Sequence, residues 1–393
     1  MRTYNELFKR CDELGIPINP SNGYTKEGLQ NLIRDHLWQR DHPDEKMLLQ
    51  VEPELAQSIE ELNDKKAEDI WNSKDYCAQL KLDGNRILLH IGKTSNRATS
   101  RRKSDVTFLF SEKTDNMPSQ RDFLLPDYEG TVLDGEAIMP VPDLDTGSVI
   151  TSSELQSTSA VLNCSPDLSK KLQEGRPIIY HIFDVIYWKG KNVMPLSYDI
   201  RLNLVDNIFL EINSRGGSNY FSRVETVLDN KKQFYQDMIA QGKEGVMLKS
   251  LNSIYEPGKR TWNWLKVKEW SEYDGIITGW LPSTEGKGYE NLIGSLEVSA
   301  YDENRILRPI ACVSPRSLEE RKVLTQVNTS GQVGLKTGII GKVVTVRGRE
   351  WSGKSIRLKH AVLLTWREDK SPEDCAINFN TIKSKLELGE RVR

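Results

Sequence analysis

Residues 77–90 place side chains that could perform chemistry among apolar residues that favour strands. The centre of this stretch reads Lys81-Leu82-Asp83-Gly84-Asn85-Arg86. The apolar residues on both sides predict two short buried strands joined by a turn at Asp83-Gly84, a pair common in hairpins. Lys81 would end the first strand, where burial of its ammonium is costly. An exposed lysine beside an ordinary turn explains the same residues, so the rest of the chain decides between the two.

Further charged residues stand inside strand-like segments elsewhere, and each alone would fit a solvated strand edge. Together they supply a lysine nucleophile, two carboxylates for a divalent cation and several cations for phosphates. Phosphoryl transfer needs this set of groups. The segments are LDGEAI at 133–138 with Glu136, EGVMLK at 244–249 with Glu244 and Lys249, WLKVK at 264–268 with Lys266 and Lys268 on one strand face, and WREDK at 366–370 with Arg367, Asp369 and Lys370.

The order of these segments resembles that of the ATP-dependent DNA ligases, a family of covalent nucleotidyltransferases. The resemblance covers about residues 76–375, and the length of the chain suggests a compact ligase of the phage or virus type. Lys81-x-Asp83-Gly84-x-Arg86 resembles motif I of the family. The other segments resemble motif Ia (SRRKSD, 100–105), motif III (LDGEAI, 133–138), motif IIIa (FDVIYW, 183–188), motif IV (EGVMLK, 244–249), motif V (WLKVK, 264–268) and motif VI (WREDKSPED, 366–374).

The resemblance implies a reaction in three steps. Lys81 would attack the α-phosphate of ATP, forming lysyl-AMP and releasing pyrophosphate. The AMP would then move to the 5′-phosphate of a nick, and the 3′-hydroxyl would displace it. Arg86 and Arg101 would hold the ribose or a phosphate, while Glu136 and Glu244 would orient the ribose and Mg²⁺, a hard cation that suits few carboxylates and several waters.

The resemblance also implies roles for the remaining candidates. Phe183 would stack on adenine, although a core phenylalanine fits its strand equally well. Lys249 would belong to the nucleotide site, and Lys266 and Lys268 would hold the α-phosphate. The motif VI residues Arg367, Asp369 and Lys370 would align the departing pyrophosphate.

Two positions depart from the family pattern. Gln79 stands where many relatives carry a carboxylate, and its amide can still pair with an adenine edge. Thr365 stands where relatives often carry an arginine, so one phosphate contact of the family lacks its cation here.

The alternation of segments predicts an α+β fold with three domains. Residues 1–45 would form a small helical module, 46–270 an adenylation domain with antiparallel sheets, and 271–393 an OB-fold β-barrel. Predicted strands fall at 86–91, 105–110, 131–139, 178–188, 245–249, 274–280, 293–300, 306–313, 341–348 and 361–366, and predicted helices at 54–69, 196–212 and 229–241.

The first forty residues predict a pair of helices. Leu7, Cys11 and Leu14 recur at helical spacing, and Thr25 is a good N-cap for the second helix. The pair resembles a SAP-type DNA-binding module, but a hairpin that serves only for packing explains the pattern as well.

Composition limits the partners and the compartment. The net charge of −2 and pI of about 6.3 mean that nucleic-acid binding must use local basic clusters, such as residues 97–103 and 259–268. Five scattered cysteines without a CxxC pair favour a reducing compartment. The sequence has no N-terminal apolar segment and no long apolar run, so we expect no signal peptide and no membrane contact. The resemblance implies that the partner is nicked double-stranded DNA, and we expect a monomer in the cytoplasm of a bacterium or phage-infected cell.

Other functions fit part of the pattern. An RNA ligase or an mRNA capping guanylyltransferase of the same superfamily is the main alternative. An NAD-dependent ligase is disfavoured because that group carries a four-cysteine zinc module. A nucleic-acid-binding protein without activity would not need the intact Lys81, Glu136, Glu244 and Lys370.

Overall fold

The computed structural model describes residues 3–19, 23–41, 48–140, 154–284, 286, 288–329, 331–352 and 355–387. The chain divides into two compact units, Met1–Val267 and Lys268–Arg393. The described α-helices are α1 (Tyr4–Glu13), α2 (Lys26–Asp41), α3 (Asp64–Asn72), α4 (Pro118–Asp122), α5 (Glu154–Asn163), α6 (Pro166–Leu172), α7 (Tyr198–Ser214), α8 (Lys231–Ala240), α9 (Leu318–Leu324) and α10 (Phe379–Glu387).

The described strands of the first unit are β1 (Leu55–Ser58), β2 (Tyr76–Leu80), β3 (Asn85–His90), β4 (Arg97–Lys103), β5 (Phe110–Glu112), β6 (Val132–Ile138), β7 (Ile179–Trp188), β8 (Lys191–Asn192), β9 (Phe221–Arg223), β10 (Thr226–Val227), β11 (Gly245–Ser250) and β12 (Arg260–Lys268). They form two sheets, ordered β1-β12-β11-β2-β10 and β5-β4-β3-β6-β7-β8 with β9 beside β7. Most neighbours are antiparallel, and β1–β12 and β7–β9 are parallel. The predicted α+β class with antiparallel sheets is confirmed.

The connection 81–84 joins the two sheets, so the predicted hairpin at Asp83-Gly84 is wrong. β2 pairs with β10 and β11, whereas β3 pairs with β4 and β6. Gly84 is needed for close packing, because a Cβ atom there would lie 2.3 Å from the Ala137 carbonyl oxygen of β6. The apolar runs on both sides of the turn belong to strands that are buried in different sheets.

The larger sheet packs its inner face against α7. Tyr180 and Ile182 of β7 are fully buried with Val205 and Ile208 of α7. The Tyr180 hydroxyl donates to the Leu133 carbonyl oxygen at 3.0 Å. Alternation along β7 therefore leaves Phe183 on the opposite face, which is half-buried.

Two predicted elements differ in the structure. The polar helix expected over 54–69 is replaced by β1 and the later helix α3. Residues 105–110, a predicted strand, form a loop that ends at the first residue of β5. The strand before this loop, β4, has the polar sequence RATSRRK, which hides it from a search for apolar alternation.

Helices α1 and α2 lie where the sequence predicts them. The backbone N–H of Gly28 donates to the Thr25 hydroxyl oxygen at 2.9 Å, as expected for an N-cap. Leu7, Cys11, Leu29 and Ile33 form the core of the hairpin. The domain boundary predicted near residue 45 lies outside the described residues.

The described strands of the second unit are β13 (Ser271–Pro282), β14 (Ile293–Tyr301), β15 (Leu307–Val313), β16 (Thr325–Val327), β17 (Val333–Leu335), β18 (Val343–Gly348), β19 (Glu350–Trp351), β20 (Leu358–Lys359) and β21 (Val362–Trp366). Five of them form an antiparallel sheet ordered β15-β14-β13-β18-β21. Leu296, Val298, Val344 and Leu363 lie in its core, which α9 and α10 also contact. In the described part of the chain, no helix has both the length and the apolar composition needed to cross a membrane.

Candidate functional site

Lys81 lies in the connection between the two sheets, with its side chain mostly buried. Its backbone N–H donates to the Gly245 carbonyl oxygen at 2.9 Å, which extends the pairing of β2 with β11 by one residue. Its Nζ lies 2.6 Å from Glu244 Oε2. Gly245, the first residue of β11, has φ of +140°, a conformation that favours glycine. Glu244 directly precedes this strand. The structure therefore brings together two residues that are far apart in sequence.

Glu136 lies on β6 directly opposite Arg86 of β3. The pKa of Glu136 is raised to about 7, mainly by burial. Lys81 and Arg86 oppose this shift, while Glu244 and Asp134 add to it. Glu136 is therefore within electrostatic range of both Lys81 and Glu244. This group of three, with one amine and two carboxylates, joins the nucleophile and both metal-ligand candidates of the sequence analysis.

The raised pKa of Glu136 should make stability depend on pH. Between pH 4.5 and about 7, this carboxyl holds a proton in the folded protein but loses it in the unfolded chain. The free energy of unfolding therefore falls as pH rises through this window. The variant Glu136→Gln cannot titrate. Relative to wild type, its free energy of unfolding should rise by about 1–3 kcal/mol between about pH 5 and about pH 8, measured by denaturant titration. A difference that does not change with pH, or an equal change in the exposed control Glu129→Gln, would contradict this assignment.

Arg86 lies in a buried network of polar groups. Its guanidinium donates to both carboxylate oxygens of Asp134, at 2.8 and 2.5 Å, and to the Glu54 carbonyl oxygen at 2.8 Å. The Tyr255 hydroxyl donates to Asp134 at 2.7 Å. Asp134 is fully buried, and a bidentate pair of this kind fixes the orientation of both side chains. The Arg86 side chain is thus positioned by the protein itself.

Lys249 is enclosed by aromatic rings. Its Nζ lies 3.9 Å from the centroid of Trp264, 4.2 Å from that of Phe183 and 4.8 Å from that of Tyr198. It also lies 3.3 Å from the Tyr198 hydroxyl oxygen. Burial lowers the pKa of Lys249 to about 8, against the attraction of Asp184. Cation–π contacts partly replace the lost hydration of the ammonium.

The remaining candidates lie on strands β2, β12 and β4. Gln79 of β2 is buried, and its amide donates to the Thr226 hydroxyl oxygen at 2.9 Å. Along β12, Lys266 and Lys268 are half-buried, while Leu265 and Val267 are buried, so the predicted alternation is confirmed. Arg101 is exposed on β4, in the other sheet.

The candidates of the second unit form a separate cluster of charges. Lys370 Nζ lies 2.6 Å from Asp274 Oδ2, and Arg367 lies 3.2 Å from the same carboxylate. Arg367 also makes a bidentate pair with Asp369, at 2.9 and 2.8 Å. The bond to Arg367 lowers the pKa of Asp369 to about 2. Thr345 donates to Asp274 at 2.5 Å, so this carboxylate holds three side chains.

Sequence reasoning missed several residues of these networks. Asp134 stands two residues before Glu136 on the same strand face, and Asp274 is a charged residue inside a predicted apolar strand. Either feature could have identified the residue. Glu54, Tyr255 and Trp264 carried no such signal, because they come close to Arg86 only through the fold.

The described residues contain no group of three or more His, Cys, Asp or Glu side chains that could hold a metal ion. Glu136 and Glu244 nevertheless suit a cation that keeps most of its water, because two carboxylate ligands are enough for Mg²⁺. The raised pKa of Glu136 also suits a cation site, because a nearby positive charge would stabilise the ionised form of this buried carboxylate.

Comparison with known proteins identifies the family of the chain. Residues 53–268 match the family model described as the ATP dependent DNA ligase domain, and the chain belongs to this family. The SPbeta prophage-derived DNA ligase-like protein LigB of Bacillus subtilis is 30% identical over 230 residues, which cover 58% of this chain and 72% of that protein.

DNA ligase 2 of Methanosarcina mazei is 28% identical over 395 residues, covering 93% of this chain and 62% of that protein. The chain thus spans less than two thirds of that relative's length. A solved structure titled "DNA binding with a minimal scaffold: Structure-function analysis of Lig E DNA ligases" is similar in fold, with a TM-score of 0.50 and 17% identity over 82% of this chain and all of that one.

Proposed function

We propose that this protein is an ATP-dependent DNA ligase that seals nicks between a 3′-hydroxyl and a 5′-phosphate in duplex DNA. The observation that carries the proposal is the position of Lys81. It is a mostly buried amine, 2.6 Å from Glu244, in a chain of the ATP-dependent DNA ligase family. A lysine in this setting can serve as a nucleophile once it loses its proton.

In the first step, the Lys81 nitrogen bonds to the α-phosphorus of ATP. The bond from that phosphorus to the bridging oxygen of pyrophosphate breaks, and the amine proton leaves to a base or to water. The ion pair with Glu244 holds the Lys81 amine in place before the reaction. Substrate binding that breaks this pair would leave the amine correctly placed for attack on the phosphorus.

Glu136 and Glu244 would hold Mg²⁺, which would neutralise part of the triphosphate charge during the transfer. The other candidates would form the nucleotide site around Lys81. Phe183 and Gln79 would contact the adenine, and Lys249, Lys266 and Lys268 would supply positive charge. Arg86 would contact ribose or phosphate from its fixed position on Asp134, and Arg101 would bind a DNA phosphate.

Nucleotide labelling separates this proposal from its main alternative, an RNA ligase or capping guanylyltransferase, which no observation favours. The purified protein is incubated with α-labelled ATP or GTP and Mg²⁺, then tested on nicked all-DNA and RNA-containing duplexes. We expect a label from ATP and sealing of the DNA nick. A label from GTP alone, or sealing of RNA alone, would overturn the proposal.

The motif VI cluster should act on the first step only. Lys370→Ala should slow self-adenylylation about 10- to 100-fold, because it removes a cation proposed to stabilise the departing pyrophosphate. Sealing of a pre-adenylylated nick should change little, and the exposed Lys383→Ala of the same unit is the matched control. Equal loss at both steps would contradict a role confined to the leaving group.

The finer architecture belongs to the same proposal. We infer that the five-stranded antiparallel sheet of the second unit, with its short accessory strands, is an OB-fold, and that α1 and α2 form a SAP-like module. The three predicted domains, the monomeric state and the cytoplasmic location stay predictions.

A further inference from the structure

The loop between β4 and β5 inserts an aromatic ring into the N-terminal hairpin. Phe108 has φ of +58°, a conformation that residues with side chains rarely adopt, and it is only 5% exposed. Its ring shares a core with Leu7, Leu29 and Ile33 of α1 and α2. An unfavourable backbone conformation persists only where the surroundings hold it, and here the hairpin core provides the hold.

The loop that carries Phe108 is closed on itself. The backbone N–H of Ser104 donates to the Leu109 carbonyl oxygen at 2.8 Å, and that of Phe108 donates to the Ser104 carbonyl oxygen at 3.0 Å. The Ser104 hydroxyl accepts from the backbone N–H groups of Val106 and Thr107 at 3.1 and 3.2 Å. These hydrogen bonds join Phe108 to Ser104, the residue that follows β4. The position of Phe108 is therefore coupled to the end of β4.

A second contact ties the hairpin to the start of β4. Trp38 of α2 is 7% exposed, and the Arg97 guanidinium lies 5.5 Å from its ring centroid. Arg97 also makes a bidentate pair with Glu112 of β5, at 2.9 and 2.7 Å. The hairpin therefore contacts Arg97, the first residue of β4, and Phe108 in the loop that follows this strand. Three exposed cations lie between these contacts: Arg101, Arg102 and Lys103.

The surface of the hairpin itself is poorly suited to a polyanion. Between residues 3 and 41 the sequence has five Lys or Arg residues and six Asp or Glu residues. Phosphate binding depends on cations that are not already neutralised. Three of the five cations pair with carboxylates of the hairpin: Arg10 with Glu13, Arg34 with Asp35, and Arg40 with Asp41.

We propose that the N-terminal hairpin promotes DNA binding indirectly, by holding β4 and its loop through Phe108 and Trp38 so that Arg101, Arg102 and Lys103 face the DNA backbone. Phe108 is a positioning residue in this scheme, and the hairpin surface does not bind the DNA. The inference rests on the proposed function for the identity of the ligand as nicked duplex DNA.

The test uses the full chain and compares variants by their affinity for a nicked duplex over a range of salt. Phe108→Ala and Trp38→Ala should each weaken binding about tenfold at low salt. Each should also make the slope of log affinity against log salt shallower, by the equivalent of up to about three phosphate contacts. Phe108→Leu should restore most of the affinity. Phe108→Gly, which permits the backbone conformation but lacks the ring, should bind as poorly as Phe108→Ala. In sealing assays the KM for the nick should rise while kcat stays unchanged.

Two comparisons distinguish positioning from direct binding. Lys9→Ala with Lys26→Ala, at exposed cations of the hairpin, should bind nicked DNA like wild type, whereas a loss of affinity would mean that the hairpin binds directly. The double variant Phe108→Ala with Arg101→Ala should have an affinity at most about twofold lower than that of the weaker-binding single variant, because both changes act through the same strand. Losses that multiply would overturn the proposal.

Labelling with ATP distinguishes a failure of the positioning role from a failure of the proposed function. Phe108→Ala and Trp38→Ala should take up AMP at the wild-type rate, which also shows that the catalytic unit is folded. If both label normally and bind nicked DNA like wild type, the positioning role is wrong while the proposed function stands. If wild type itself neither labels nor seals, the proposed function fails.

Discussion

Lys81→Ala should abolish covalent labelling by ATP, and we expect at least about a thousandfold loss of self-adenylylation. No other change should have so large an effect, because the phosphorus–nitrogen bond cannot form without this amine. Lys81→Arg should fail as well, since a guanidinium stays protonated and is a poor nucleophile. Intact-protein mass spectrometry with peptide mapping should find one adenylate, on Lys81, in wild type and none in either variant.

The matched control for this experiment is Lys232→Ala. This lysine is exposed and pairs with Glu68 away from the connection between the sheets, so labelling should stay at the wild-type level. An adenylate on another residue in wild type, or persistent labelling of Lys81→Ala, would show that the nucleophile is misassigned.

Asp134→Ala should cost about 3–5 kcal/mol of unfolding free energy, because it leaves the Arg86 guanidinium buried without its carboxylate. The Tyr255 hydroxyl would lose its acceptor at the same time. Labelling by ATP should fall too, since Arg86 and the nearby Lys249 would both lose compensating negative charge. Denaturant unfolding monitored by tryptophan fluorescence gives the stability, and the rate of AMP uptake gives the functional cost.

Two further variants define the cause of this loss. Asp134→Asn keeps a polar group for Tyr255 but removes the charge, so its stability should lie between those of wild type and Asp134→Ala. Asp122→Ala breaks an exposed pair with Arg121 and should cost at most about 1 kcal/mol. If Asp134→Ala unfolds like wild type, the Arg86 network does not stabilise the unit as inferred.

Much of the fold could be predicted because buried strands and amphipathic helices carry a local signal. The strands β3, β6, β7, β11 and β14 and the helices α7 and α8 lie close to where apolar patterns predict them. The error at Asp83-Gly84 has a different origin. A pattern of apolar residues shows that two strands are buried, but it does not show which sheet each one joins.

The site could be predicted only as far as unusual residue types marked it. Lys81, Glu136 and Glu244 stood out as charges in apolar segments, and the structure brings them within electrostatic range of each other. Tyr255 and Glu54 look ordinary in sequence, yet they complete the buried network of Arg86. Partners of this kind are determined by tertiary contacts, which a single sequence does not display.

The connection at residues 81–84 is held in place at both ends. One end is tied to β11 through the Lys81 backbone, and the other is packed against β6 at Gly84 without room for a methyl group. An inserted or deleted residue here would have to move a whole sheet or displace the reactive amine. Changes of chain length in a protein built this way must therefore be accommodated in other loops.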